Sequence, residues 1–523
     1  MKKALRSARV SRFLKRFHPP NAMMLPLLLA AVVSAASPDS SPTPAASPKP
    51  KKTVTVRIPM PVTKVTPDGE LRFNIPYQIP ELNWNTQRFW EAYQENRESG
   101  KSWLQSDYAT MNWFGLRDKL AKHGLDVSLT YTADLAGNPV GGKSPAFTYC
   151  DNFTLDMEFQ SEPLLGYKGG TLSIIALDRN GNNLSSRNIG NQFTVQQVYG
   201  GTGVIFYGLA YNQRFCDDKL SFKFGRMAAG DDFASSPLYW LYMNNGIDGN
   251  PQALPVNGSF STYPWSVWGA RLRALVTPEN EAMLGLYQVT PQVSQSYMHG
   301  FNWNINPGDG LMLIGQYGWA PEFFKPSPKA VSDGKSVAAA NGSDGKSLST
   351  PATDAVGHGL PGHYWMGGYY STWTYPQFGS SQGQNGAYGL YWHFDQMLYR
   401  LDPFKDTGLT AWSAFVLCPQ QNTAKVPFQY NGGLVYTGLL PFRPHDVSIF
   451  GVAYGNFSSN YAQASEATLG GYPSYELVYE WGYRINLTKF AYVQPDVQWV
   501  VNPGGSGTIP NALVLGAQVG VTF

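Results

Sequence analysis

The sequence predicts an all-β protein: a transmembrane antiparallel β-barrel of about sixteen strands, preceded by a short helical segment. Three observations predict it. The chain closes on Pro510 to Phe523, PNALVLGAQVGVTF, in which one parity is wholly apolar (Leu513, Leu515, Ala517, Val519, Val521, Phe523). Successive side chains of a strand point to opposite faces, so this is a strand with one greasy side. The same alternation recurs from residue 125 onward. The composition is also distinctive: 31 Tyr, 28 Phe, 15 Trp and 54 Gly, with only 14% charged residues. Outer-membrane barrels average to such a mixture. After the leader no apolar run is long enough for a helical span, which needs about 20 residues. A greasy strand at the very end of a soluble sheet would recruit other chains. A closed barrel pairs it with the first strand and leaves no edge.

The N-terminus reads as a targeting segment over residues 1–36. Lys2, Lys3, Arg6, Arg9, Arg12, Lys15 and Arg16 precede an apolar run from Met23 to Ala31, and Ser34, Ala35 and Ala36 offer a cleavage site. This is the secretory pattern. Seven of the 39 Lys and Arg lie in it, so the remainder carries 32 bases against 36 acids. The basic balance belongs to the leader, and no nucleic-acid partner is implied. Residues 37–101 are a Pro/Ser-rich extension expected to be largely disordered, with a possible short helix at 86–99. Residues 102–124 form an amphipathic helical candidate, with Trp113, Leu116 and Leu120 at helical spacing and Gly124 as its stop.

The barrel is expected over 125–523. Clear period-two stretches are 125–135, 153–160, 220–224, 268–276 and 475–486. Further strands are expected near 170–178, 203–215, 281–290, 310–319, 362–374, 386–400, 407–419, 430–440, 446–456 and 488–499. Period two does not say which face is inside. The apolar parity is rich in Tyr, Trp and Phe, as lipid-facing girdles are, whereas the opposite parity carries charges that suit a wet lumen. The links 229–265 and 320–361 are long, and the Ser/Gly/Lys-rich stretch 326–357 is expected to be an extracellular loop.

A pore for sugars needs groups that bind hydroxyls and flat rings that stack on a pyranose. Both must act weakly and repeatedly, so that solute also leaves. Lumen candidates on the polar parity are Asp156, Glu158, Lys223, Arg271, Arg273, His393, Asp395, Glu476, Glu480 and Arg484. Segment 229–265 could fold inward as a constriction carrying Asp231, Asp232, Tyr239, Trp240 and Tyr242. The alternative for each charge is a solvated wall position, and for the segment a loop on the outer rim. Catalytic signatures such as H-E-x-x-H and G-x-S-x-G are absent from the sequence. Glu476 and Glu480 lie roughly 13 Å apart on a strand, wider than a glycosidase pair. His358 and His363 in GHGLPGH read as loop residues, not as a metal site. Cys150, Cys216 and Cys418 allow at most one pair and define no disulfide framework. No cofactor or metal is expected.

Five motifs occur in order: WFGLRDKLAKHG from Trp113, GRMAAGDDFA from Gly225, NGGLVYTGL from Asn431, RPHD from Arg443 and QPDVQWVVNPGG from Gln494. Over roughly 103–523 the chain resembles the carbohydrate-selective porins of Gram-negative outer membranes, the OprB-type family. Phe114 departs from the pattern, standing where a glycine is usual. The resemblance implies a sixteen-stranded barrel, passive diffusion of glucose and related sugars through a narrow waist, and no enzymatic role. It implies contact with outer-membrane lipid and lipopolysaccharide, assembly as a homotrimer or monomer, and reading of Phe523 by the outer-membrane assembly machinery. The rival readings are an outer-membrane barrel enzyme and a secreted all-β glycan-binding protein.

Overall fold

The computed structural model describes residues 64–65, 71–72, 103–258, 260–290, 298–324, 358–402 and 405–523. The chain divides into two units, Met1–Arg57 and Ile58–Phe523. The leader, the helix expected at 86–99 and most of the Pro/Ser-rich extension lie outside the described residues. Within the extension, Lys64–Val65 pairs with Leu71–Arg72.

Sixteen long strands follow: β1 Leu125–Val140, β2 Phe147–Gln160, β3 Gly170–Gly181 and β4 Gly203–Phe215, then β5 Leu220–Met227, β6 Val267–Thr277, β7 Asn280–Val289 and β8 Gly310–Trp319. The second half comprises β9 Leu360–Pro376, β10 Gly383–Arg400, β11 Gly408–Leu417 and β12 Phe428–Thr437. It ends with β13 Val447–Asn456, β14 Tyr475–Asn486, β15 Ala491–Val501 and β16 Ala512–Thr522. Each pairs antiparallel with the next, and β16 pairs with β1 to close the barrel. A two-residue strand, Glu322–Phe323, adds to the start of β9.

Closure settles which face meets what. On β5, Phe222 and Phe224 are 40% and 48% exposed, whereas Lys223 between them is 3% exposed. On β14, Trp481 is exposed while Glu476 and Glu480 are fully buried. The apolar parity therefore points out of the barrel and the polar parity into it. With every strand paired, the outer face offers lipid no open backbone edge.

The strand count also fixes the two ends. The barrel begins and ends at one rim, which carries Leu125 and Phe523. β8 descends to that rim and β9 leaves from it, since Trp319 pairs with Tyr364 and with Asn280 of the tight β6–β7 turn. The link 320–359 thus joins the rim of the termini, opposite the rim of the long links 182–202, 228–266, 290–309 and 457–474. Residues 325–357 themselves lie outside the described residues. The extracellular loop expected over 326–357 falls on these residues.

The helix expected over 102–124 is shorter. A 3-10 turn at Trp103–Gln105, another at Trp113–Gly115 and an α-helix, α1, at Leu116–Lys122 take its place. Leu116 is exposed, and α1 turns Arg117 and Ala121 inward. The reason lies at the barrel seam. β16 stops opposite Thr130, so β1 from Leu125 to Leu129 lacks a strand partner there. The Phe523 N–H donates to Leu129 O at 2.7 Å, and Ala109 N–H donates to Thr522 O at 2.8 Å. Arg117 donates to Val127 O at 2.6 Å and to Phe523 O at 2.8 Å, between the rings of Tyr108 and Trp113 at 3.8 and 4.3 Å.

Candidate channel lumen

Two connections fold into the barrel, not over it. The first is 183–201, in which Leu184, Ile189, Phe193 and Val195 are fully buried. The second is 228–266, buried from Ala228 through Leu254 at nearly every apolar position. The second opens on the motif glycine Gly230. Asn250 Nδ2 donates to the carbonyls of Gly230, Phe233 and Ala234, each at 3.1 Å, and a Cβ at residue 230 would strike that amide. The glycine lets the turn and the asparagine knot together.

The inward charges of β14 fix both segments. The Glu476 carboxylate accepts the N–H groups of Gln192, Phe193 and Gly504, each at 2.7 Å. Glu480 accepts Met243 N–H at 2.5 Å and Asn244 N–H at 3.1 Å. Arg484 donates to Trp240 O at 3.1 Å and to Gln494 at 2.7 Å. These three side chains hold backbone and do not stand free in the lumen. Buried N–H and C=O groups without partners are costly, so a carboxylate that accepts several is a strong anchor for a loop.

The other candidates form two clusters and one separate pair. Asp232 lies 3.3 Å from Lys223 and 3.6 Å from Arg271, and Arg273 pairs with Glu281 at 2.8 Å. Asp231 accepts from the Tyr207 hydroxyl and from Ala228 N–H, and burial pushes its carboxyl up to about 6. Across the lumen, the Tyr239 hydroxyl meets His393 Nδ1 at 2.8 Å, and Asp395 bonds His393 at 2.9 Å and His363 at 2.8 Å. Trp365 stacks on His393, 4.9 Å between centroids. Tyr242 donates to Phe450 O and receives Trp412 Nε1, both at 3.0 Å. Trp240 is buried and contributes its carbonyl to Arg484. Asp156 and Glu158 stand apart from these clusters, near the rim of the termini.

His363 is a correction: it belongs to β9 as an anchor of Asp395, and its Gly-rich surroundings misread a strand as a loop. Among the described residues no three His, Cys, Asp or Glu side chains could hold a metal ion, and all three cysteines are free.

Sequence reasoning missed the 183–201 segment and a polar group beside it. Arg179 of β3 is 1% exposed, donates to Val198 O, and carries its guanidinium over the Tyr263 ring at 5.2 Å. Its Nε and Nη1 have no hydrogen-bond partner, nor does Oδ1 of the neighbouring Asn152. The Tyr263 hydroxyl lies 3.4 Å from Thr154 Oγ1. A signal existed: Leu184, Ile189, Phe193 and Val195 are unusually apolar for a connection.

The family model of the carbohydrate-selective porins, OprB family, matches residues 144–523. Porin B of Pseudomonas aeruginosa is 25% identical over 467 residues, covering 83% of this chain and 93% of that protein. A putative porin, QuiX, of Acinetobacter baylyi is 24% identical over 460 residues, covering 81% and 93%. The high-pH structure of Pseudomonas putida OprB superposes with a TM-score of 0.70 at 24% identity, over 81% of this chain and all of that one, and so shares the fold. With a closed barrel, a lumen narrowed by two inserted segments and this match, the chain belongs to the carbohydrate-selective porin, OprB family.

Proposed function

We propose that this porin passes glucose and related sugars by diffusion along a path narrowed by segments 183–201 and 228–266, with Arg179, Asn152, Thr154 and Tyr263 contacting the solute. The closed barrel, entered by two buried segments, together with the match to the carbohydrate-selective porins carries this reading. A guanidinium binds vicinal hydroxyls and a ring stacks on a sugar's C–H face, and neither contact need be long-lived. Lys223, Arg271, Arg273, Asp231 and Asp232 set the local field along the path. Glu476, Glu480, Arg484, His393, Asp395, Tyr239, Trp240 and Tyr242 hold the constriction in place.

The leader is cleaved on export, Phe523 is read by the assembly machinery, the outer wall contacts lipid and lipopolysaccharide, and the barrel works as a monomer or homotrimer. Planar-bilayer recording with glucose titration tests the transport reading. Current should fall as glucose occupies the path, and Arg179→Ala should weaken that block. A current indifferent to glucose and to short oligomers in the native protein would refute it.

A further inference from the structure

The motif residues Trp113 to Gly124 do more than fasten the seam. Of these, Arg117 joins Tyr108, Asp126, Ser128, Asp156 and Glu158 in lining a small cavity at the rim of the termini. In the β1–β2 register Asp126 faces Glu158, and Ser128 faces Asp156 two residues away on the same inner face. Three carboxylates therefore share two rungs of one ladder. Like charges directly opposite on a sheet cost stability, so this arrangement needs a reason.

Arg117, the one cation on that lining, offsets at most one of the three carboxylates, and its Nε has no hydrogen-bond partner. Its other donors serve Val127 O and Phe523 O, and its faces are taken by Tyr108 and Trp113. Asp126 and Asp156 enter no salt bridge among the described residues. Asp156 lines the cavity, and its Oδ1 is shielded from solvent and has no hydrogen-bond partner. The carboxylates are not gathered closely enough to bind a metal ion directly. A group with several diverging donors and a positive charge fits better. An ammonium has three donors and no acceptor, which suits a lining of carboxylate acceptors.

We propose that this cavity is a subsite for the ammonium group of an amino sugar at the terminus-side mouth of the channel, a reading that rests on the chain being a sugar channel. The mouth then retains amino sugars, passes neutral sugars and repels sugar acids. The negative charge needs no contribution from the constriction, so the two regions select separately.

The test is single-channel recording of the full-length mature protein with glucosamine, glucose or gluconate on both sides. Native protein should show glucosamine blocks roughly tenfold longer than glucose blocks, the effect of about one charge-assisted hydrogen bond. In Asp126→Asn/Asp156→Asn the two lifetimes should converge while glucose blocks stay as in the native channel. Should the double variant fail to insert, Asp156→Asn alone carries the test, with a smaller loss in the same direction. Equal glucosamine and glucose lifetimes in the native protein, or an excess that survives the substitutions, would overturn the subsite and leave the sugar channel standing. No response to any sugar would instead overturn the channel reading.

Discussion

Replacing Glu480 by alanine should unlock the constriction without unmaking the barrel. Glu480 is fully buried and accepts the N–H groups of Met243 and Asn244 at 2.5 and 3.1 Å. A buried N–H left without its acceptor costs on the order of 1–3 kcal/mol. Two such groups amount to about 2–6 kcal/mol. Arg484 on Trp240 O, Gln494 on Leu241 O and Trp412 on Tyr242 remain, so the segment keeps its neighbouring anchors. A loss of about 3 kcal/mol shifts the ratio of seated to displaced segment roughly a hundredfold. Strand pairing is untouched, because Glu480 keeps its backbone rung with Gln498. Single-channel recording in planar bilayers should show larger and noisier current and a weaker glucose block, while circular dichroism keeps its β signal. Native conductance with native noise would refute the view that this carboxylate holds the segment.

Three further outcomes follow from the same geometry. Asp232→Asn removes the counter-charge of Lys223 and Arg271, so reversal potentials in a salt gradient should move toward anion selectivity; an unmoved potential would place this cluster off the path. Arg117→Ala should lower the temperature at which the folded barrel converts to the unfolded form on semi-native gels, whereas Arg117→Lys, which keeps the charge but not the fork, should recover only part of it. Asp231 has a folded value raised to about 6, above its unfolded one. Its carboxylate therefore burdens the fold at pH 7, and that burden is relieved as pH falls through about 6. Thermal stability should rise from pH 7 toward 5, and Asp231→Asn should flatten that rise.

The alternation of Leu125 to Leu135 and of Tyr475 to Ile485 made strands and faces legible, because period two is a local property of the chain. The Glu476–Glu480–Arg484 face was legible for the same reason, while the Asp, Tyr and Trp content of 229–265 marked that segment out without saying what it does. What those charges do was not. Glu476 looks like a lumen acid in sequence, yet its partners Gln192 and Phe193 lie far away in the chain and are brought there by an inward fold. His363 was misplaced because the Gly content around it describes local stiffness, not the position of a strand in the sheet.

By itself the sequence determined the strands, their apolar and polar faces and the closing strand, since local side-chain spacing suffices for that. The tertiary structure alone decided which polar groups are occupied by backbone and which stay unmatched, as at Arg179, Asn152 and Asp156. A hydrogen bond depends on where two distant segments meet, and no single stretch of sequence contains both partners.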